Sequence, residues 1–340
     1  MFIDSHVSVG ATLGVVLFKE TLVRNNSWND LTATLIAFAI GAFVGFLPDI
    51  DFLNKKLKSN LYYLENHRKW THSILVHIPL SILFSFILFK FHFIGSNNFW
   101  FCSLGFFIIL FSHLVLDLFT SWGVYLFYPF KKVVATKSIS IIDFFFSLTM
   151  IIQLFFLFKI ANPYLVYVPI CIAFTYLLLT YCLSFYIQKV FAKALEVQGV
   201  LSYETEIKPT FGNAILWTVN VRAKDGSYLI GYYSIFQKTK EIKFVHIKVN
   251  EDLVDYNDAE LLVVVSKLKN ILNHWYSFSL INNQLVVNDI RYGLKTTDLN
   301  EKEFSQSFLI KKQHGTYDVY RKFKFKKGWF IKLVIRFFKV

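Results

Sequence analysis

Charge is scarce in this chain. Asp, Glu, Lys and Arg make up 17% of its 340 residues, against about 25% in an average soluble protein, and the deficit excludes an ordinary water-soluble domain over the whole length. Cysteine is scarcer still. Cys102, Cys171 and Cys182 lie inside apolar segments, without the spacing of a disulfide framework or a zinc cluster, and read as small hydrophobic residues. The start holds Asp4 and His6 but no basic region ahead of its apolar run, which argues against a cleavable secretory signal.

What is present is apolar. Hydrophobic residues account for 55% of the chain and Phe alone for 39 positions; mean hydropathy is +0.45. The distribution is uneven: residues 73–188 carry long runs with few charges, whereas residues 204–340 alternate polar and apolar like a folded domain. The expected organisation is a transmembrane domain over 1–190, a linker over 191–205, and a cytoplasmic domain over 206–340. The net charge of +13 sits mostly in short loops and at the C-terminal end, as membrane proteins distribute it, so nucleic acid is not an expected partner.

A span needs about 20 apolar residues to cross about 30 Å of hydrocarbon. Residues 74–91, 99–119, 141–160 and 164–187 qualify best, and 31–47 adds a fifth, with Gly41 and Gly45 at the spacing that lets a second helix approach. Residues 7–18 form a short sixth, either extended by Ser5 and His6 or else a re-entrant or interfacial helix. The fold class expected is therefore an all-α polytopic membrane domain of five or six spans followed by a small α+β, mostly β, soluble domain. Lysines and arginines gather in 49–72, 120–140 and after the last span, while 91–98 and 161–163 hold none. The positive-inside bias puts the first set, and the C-terminal domain, in the cytoplasm of a multi-pass cell-membrane protein.

Polar residues at the ends of these helices carry the chemistry, because ionisable groups near hydrocarbon are costly and mark sites or pairs. Asp49 and Asp51 follow Pro48 at the end of the second span; paired carboxylates favour a divalent cation, the alternative being solvated loop acids. His67 and His72 flank Arg68 at the start of the third, where interfacial histidines beside a basic loop are the alternative. His113 and Asp117, four apart, share a helix face, as a metal ligand with its carboxylate or as a structural pair. His6 opens the first segment. Asp143 begins another span, as part of the set or as the acid favoured at that helix N-terminus. All fall at the cytoplasmic ends, so five chain segments bring imidazoles and carboxylates to one membrane level. That mixture suits Zn²⁺, Mn²⁺ or Fe²⁺ better than Ca²⁺. His77 is placed just behind the site, and His92, His246, His274 and His314 outside it.

The segments Gly45-Phe-Leu-Pro48-Asp49-Ile50-Asp51, His67-Arg68-Lys69-Trp70-Thr71-His72-Ser73 and Ser112-His113-Leu-Val-Leu-Asp117, followed by Ser121-Trp122-Gly123 and Pro129-Phe130, resemble the YdjM-like family of membrane-bound metal-dependent hydrolases. The resemblance is strongest to its longer, YfhP-like members, which carry a C-terminal soluble domain. It covers about residues 1–160 and implies a metal site formed by His6, Asp49, Asp51, His67, His72, His113 and Asp117. Asp4 precedes His6 by only two residues, unlike many relatives, which leaves His6 as the N-terminal ligand. Lys69 and Trp70 replace shorter side chains between Arg68 and Thr71.

If the site is catalytic, hydrolysis by metal-activated water is the economical reaction. His67, His113, Asp49 and Asp117 are then the expected ligands, Asp51 or His72 the proton acceptor, and Arg68 the group that neutralises an anionic phosphoester. A site at the lipid surface favours a membrane lipid or lipid-linked phosphate as substrate, with zinc or manganese as cofactor. The alternatives are a metal-stabilised scaffold or regulator, and an ion transporter, which should hold its site near the midplane between repeats.

In the soluble part, residues 214–222, 228–236 and 242–249 read as strands, with Lys224-Asp225-Gly226-Ser227 as a hairpin turn. Residues 255–274 read as a helix, and 285–290 and 308–311 as further strands. No phosphate loop or nucleotide fingerprint occurs there, and a regulatory or packing role is expected. The tail from Arg321 holds eight Lys or Arg residues among Phe, Trp, Ile and Leu, a composition suited to an anionic leaflet.

Overall fold

The computed structural model describes residues 3–130, 132–159, 167–237, 241–294, 303–313 and 315–322. The basic tail beyond Lys322 lies outside them, as does the connection 161–163. Two compact units emerge. One holds the described residues up to Asp51, with Arg68–Cys182 and Phe211–Asn213; the other holds Phe52–His67, Leu183–Thr210 and the described residues from Ala214 onward.

The helices are α1 (Ile3–Asn26), α2 (Asp30–Phe46), α3 (Asn54–Leu57), α4 (Asn60–Asn66), α5 (Ile74–Lys90), α6 (Phe99–Phe119), α7 (Phe144–Lys159), α8 (Val168–Val197) and, after four strands, α9 (Ala259–Ile271). Among the described residues four helices are long and apolar enough to cross a membrane, within Asp4–Asn26, Asp30–Leu57, Ser96–Phe119 and Val168–Val197; a bent pair, Asn60–His72 with Ile74–Lys90, makes a fifth if it counts as one span. The count is thus four or five where five or six were expected. The expected span at 141–160 is reduced to α7, at 16 residues. The short segment expected at 7–18 is instead a helix of 24 residues.

In the helical unit, α1 and α2 cross at glycine against glycine. A β-carbon on Gly10 would stand 2.8 Å from the Gly45 Cα, and one on Gly45 would stand 2.7 Å from the His6 carbonyl oxygen; Gly14 and Gly41 meet in the same way. The close approach implied by Gly41 and Gly45 is therefore used, and its partner is the matching pair on α1. Phe18, Phe106, Ile109 and Leu110 fill the core beside this crossing.

The second unit holds two antiparallel four-stranded sheets, in order β1–β2–β3–β4 and β5–β6–β7–β8. The first comprises β1 (Ser202–Pro209), β2 (Leu216–Ala223), β3 (Tyr228–Ser234) and β4 (Phe244–Ile247); the second β5 (Tyr276–Ile281), β6 (Gln284–Asp289), β7 (Ser307–Gln313) and β8 (Thr316–Lys322). The Gly226 turn joins β2 to β3 as expected. Asn282 and Asn283, both at positive φ, join β5 to β6 as a tight turn of the kind their φ values favour. Trp217, Val219 and Val221 of β2 pack on Ile187, Val190 and Phe191 of α8. Within 191–205, where a linker was expected, α8 continues to Val197 and β1 starts at Ser202. α4 belongs to this unit: Leu61 is buried among α9 and the second sheet, a contact worth about 1.5–3 kcal/mol for a side chain of that size.

Candidate metal centre

Three local devices bring the centre together. The α1–α2 glycine contact lays the His6 backbone against Gly45. Pro48 then ends the regular helix, because it supplies no N–H and restricts the residue before it, and Leu47–Leu53 continues as a 3-10 turn that buries Asp49 and Asp51. Arg68 adopts the left-handed conformation, φ 62°, uncommon for a residue with a side chain and worth of order 1–3 kcal/mol of strain; the chain reverses there and presents His72 from the 3-10 turn Trp70–His72. His113 and Asp117 lie four apart near the end of α6, both almost fully buried.

Asp49, His72, His113 and Asp117 offer four donor atoms within 4.8 Å of one another. His72 Nε2 stands 3.2 Å from His113 Nε2, 3.5 Å from Asp49 Oδ1 and 3.4 Å from Asp117 Oδ2. His113 Nε2 is 3.8 Å from the same oxygens of Asp49 and Asp117. These separations suit a tetrahedral divalent ion, whose ligand atoms at about 2.0–2.1 Å lie about 3.3 Å apart. The tautomers agree with that use. His113 Nδ1 lies 2.8 Å from the Gly45 carbonyl and donates to it, leaving the Nε2 lone pair directed at His72. His72 Nδ1 pairs with Thr71 Oγ1 at 3.0 Å. The His113 Nε2 lone pair at this distance from His72 Nε2 can be met by a proton on His72 or by a cation, and two imidazoles with two carboxylates form a donor set for Zn²⁺, Mn²⁺ or Fe²⁺.

The remaining predicted residues divide. His6 is stacked on His113, ring centroids 3.6 Å apart, with Nε2 3.4 Å from Asp117 Oδ1; both its nitrogens are buried without a hydrogen-bond partner among the described residues. Arg68 is buried and committed to protein groups. Nη2 donates to Asp117 Oδ1 at 2.8 Å and Nη1 to Thr120 Oγ1 and the Gly123 carbonyl, each at 3.1 Å. Its backbone N–H donates to Asp51 Oδ2 at 3.1 Å. The guanidinium expected to meet an anionic substrate therefore holds a carboxylate of the site. His67 is not one of the four: it closes α4 in the other unit, its ring 4.8 Å from that of Tyr63. Asp143 is the N-terminal acid of α7, accepting from the Phe146 N–H at 3.0 Å and the Tyr176 hydroxyl at 2.9 Å. His77 stands behind the site, Nε2 donating to the Thr71 carbonyl at 2.8 Å. Sequence reasoning missed Thr120, whose hydroxyl carries no distinguishing pattern, and the Gly123 and Gly45 carbonyls, since backbone acceptors leave no trace in side-chain chemistry.

The model of the YdjM inner membrane protein family matches residues 1–189, more than half of the chain and every residue of the centre. The chain belongs to this family. It is a membrane protein accordingly, with four to five candidate spans in its helical part. A relative from Bacillus subtilis (strain 168), the uncharacterized protein YfhP, is 30% identical over 128 residues, which is 38% of this chain and 37% of the relative. The matched stretch thus spans little more than a third of that protein's own length. No solved structure matches.

Proposed function

We propose that this member of the YdjM family is a membrane-bound, divalent-metal-dependent hydrolase acting on a phosphoester, in a lipid or lipid-linked substrate, at the cytoplasmic membrane face. The observation that carries the reading is the convergence of His72 Nε2 and His113 Nε2 at 3.2 Å with Asp49 and Asp117 beside them. These four residues would hold the ion, zinc or manganese by donor type. A bound ion supplies a Lewis acid and lowers the pKa of water. Arg68 fixes the orientation of Asp117, and Asp51 fixes the Arg68 backbone; both act by positioning. His6, on the His113 ring, supplies an imidazole edge beside Asp117 for a proton or a further donor. Positive loops beside the spans support the cytoplasmic orientation, and a site at the membrane surface supports a lipid substrate.

The test is metal content and hydrolysis together. Protein purified in detergent is expected to hold about one equivalent of divalent metal, to lose it in His113→Ala, and to release phosphate or headgroup from anionic phospholipid vesicles until chelated. Equal metal content in the wild type and His113→Ala would overturn the metal site. Metal loss on chelation with no hydrolysis at any stage would favour a second reading, a metal-stabilised scaffold. The depth of burial favours that second reading: His72, His113 and Asp117 are each at most 1% exposed, as in structural sites closed by four protein ligands.

A further inference from the structure

Residues 52–67 leave the helical unit at Asp51 and return to it at Arg68, so the two ends of this strap are residues of the metal centre. The ends are tied to each other by the Arg68 N–H on Asp51 Oδ2, and Arg68 in turn grips Asp117. The middle of the strap, α4, is seated in the C-terminal unit. A seven-residue helix has too few turns to stand alone, and its orphan N-terminal donors need acceptors. Ser59 Oγ accepts from the Tyr62 N–H at 3.0 Å. Asp318 of β8 takes three more donors: its carboxylate accepts from Asn60 Nδ2 at 3.0 Å, the Leu61 N–H at 3.2 Å and the Asn60 N–H at 3.4 Å. Leu61 is buried beside Val319, the residue next to Asp318. Glu65 and Lys267, 3.5 Å apart but half-exposed, add little.

We propose that Asp318 is a positioning residue for the metal centre: by holding the start of α4 it fixes the strap whose ends place Asp51 and Arg68. The link runs along the chain, from the clasped helix α4 through His67 to Arg68, which holds Asp117. The consequence for metal rests on the reading of the centre given above, whereas the mechanical link does not.

The experiment uses the full chain in lipid nanodiscs, with hydrogen exchange resolved for residues 59–66 and 66–73 and Mn²⁺ affinity from spin-resonance titration. Asp318→Asn keeps the shape and one acceptor oxygen; Asp318→Ala removes both. Exchange should quicken in both segments in the order wild type, Asn, Ala, and Mn²⁺ should bind at least about fivefold more weakly to the Ala variant, the lower end of common site-to-site coupling. Asp225→Ala is the control: it removes an exposed acceptor of the β2–β3 turn, which takes the Ser227 N–H at 2.9 Å, and should leave residues 66–73 and Mn²⁺ affinity as in the wild type. Quickening confined to 59–66, or the same response to Asp225→Ala, would overturn the proposal. A wild type that binds no Mn²⁺ would sink the metal reading instead, and exchange at 66–73 would still decide the role of Asp318. Should Asp318→Ala not fold, Asp318→Asn alone carries the test.

Discussion

The helical unit and the C-terminal unit use polar groups in different ways. In the C-terminal unit charged side chains, some of them part-exposed, pair within a domain that has apolar cores of its own. Arg291 donates through Nε and Nη2 to Asp289, two residues away, and Glu251 accepts from Lys269, Tyr276 and Tyr256. In the helical unit the surface is apolar, with Leu83, Phe86, Leu104, Ile151 and Leu178 all at least half exposed as suits lipid, and the charged groups of the centre are gathered from distant segments: Arg68 and Asp117 are 49 residues apart, His72 and His113 41. A buried charge in water-facing β structure is thus weak evidence of function. One among apolar helices is strong evidence, because lipid offers it nothing to pair with.

The comparison is tested most severely at the glycines. Gly41→Val puts a branched side chain against the backbone of α1 at Gly10 and Gly14 and should cost about 3 kcal/mol, the upper end for overpacking, since backbone yields less than side chains. Gly226→Ala in the β2–β3 turn meets nothing within 4 Å but sits at φ 84°, and should cost about 1 kcal/mol. Unfolding in detergent, followed for each variant, reads the difference; equal losses would break the comparison. The next largest effect falls on Arg68. Arg68→Lys keeps a charge but loses the fork that reaches Asp117, Thr120 and Gly123 together, so metal affinity should fall about 10- to 100-fold, as for other residues that orient a ligand. An unchanged affinity would place the holding of Asp117 elsewhere.

The smallest effect lies in the C-terminal unit. Burial pushes the Glu251 carboxyl up, but hydrogen bonds from Lys269, Tyr276 and Tyr256 outweigh it and hold the group below its ordinary value of 4.5. A depressed folded value means that its stabilisation is present above that ordinary value and fades as pH falls through the lower folded one. With the side chain 39% exposed, Glu251→Gln should cost under about 1 kcal/mol at neutral pH and flatten the acid side of the stability profile without altering metal content. A change in metal content would show that the two kinds of polar group are less separate than their partners imply.

How far the sequence could be read follows the same division. Asp49, His72, His113 and Asp117 were legible, since each is an ionisable residue at the end of an apolar run and spacing alone puts His113 and Asp117 on one face. His67 lies outside the group of four, and its spacing to His72 does not reveal this because it crosses a left-handed residue and a 3-10 turn, through which no helical periodicity carries. α1 extends beyond the apolar run 7–18 because Lys19, Glu20 and Arg24 end the run without ending the helix; Ser8 and Thr12 inside the run are buried, with the Thr12 hydroxyl bonded to the Ser8 carbonyl at 2.9 Å. β1 was missed because Glu206 and Lys208 look like surface residues, yet both are buried, the Lys208 ammonium 3.7 Å over the Tyr292 ring. The contact between Asp318 and α4 joins residues too far apart in sequence for any local pattern.

That separation has a consequence in time. Asn60 and Asp318 are 258 residues apart, so at about 5–20 residues per second the clasp on α4 can form only some tens of seconds after the strap leaves the ribosome. All four donors of the centre have been made long before, and α1, α2 and α6 can already pack. During synthesis α4 therefore passes through an interval in which Asp318, the acceptor of its N-terminal donors, does not yet exist.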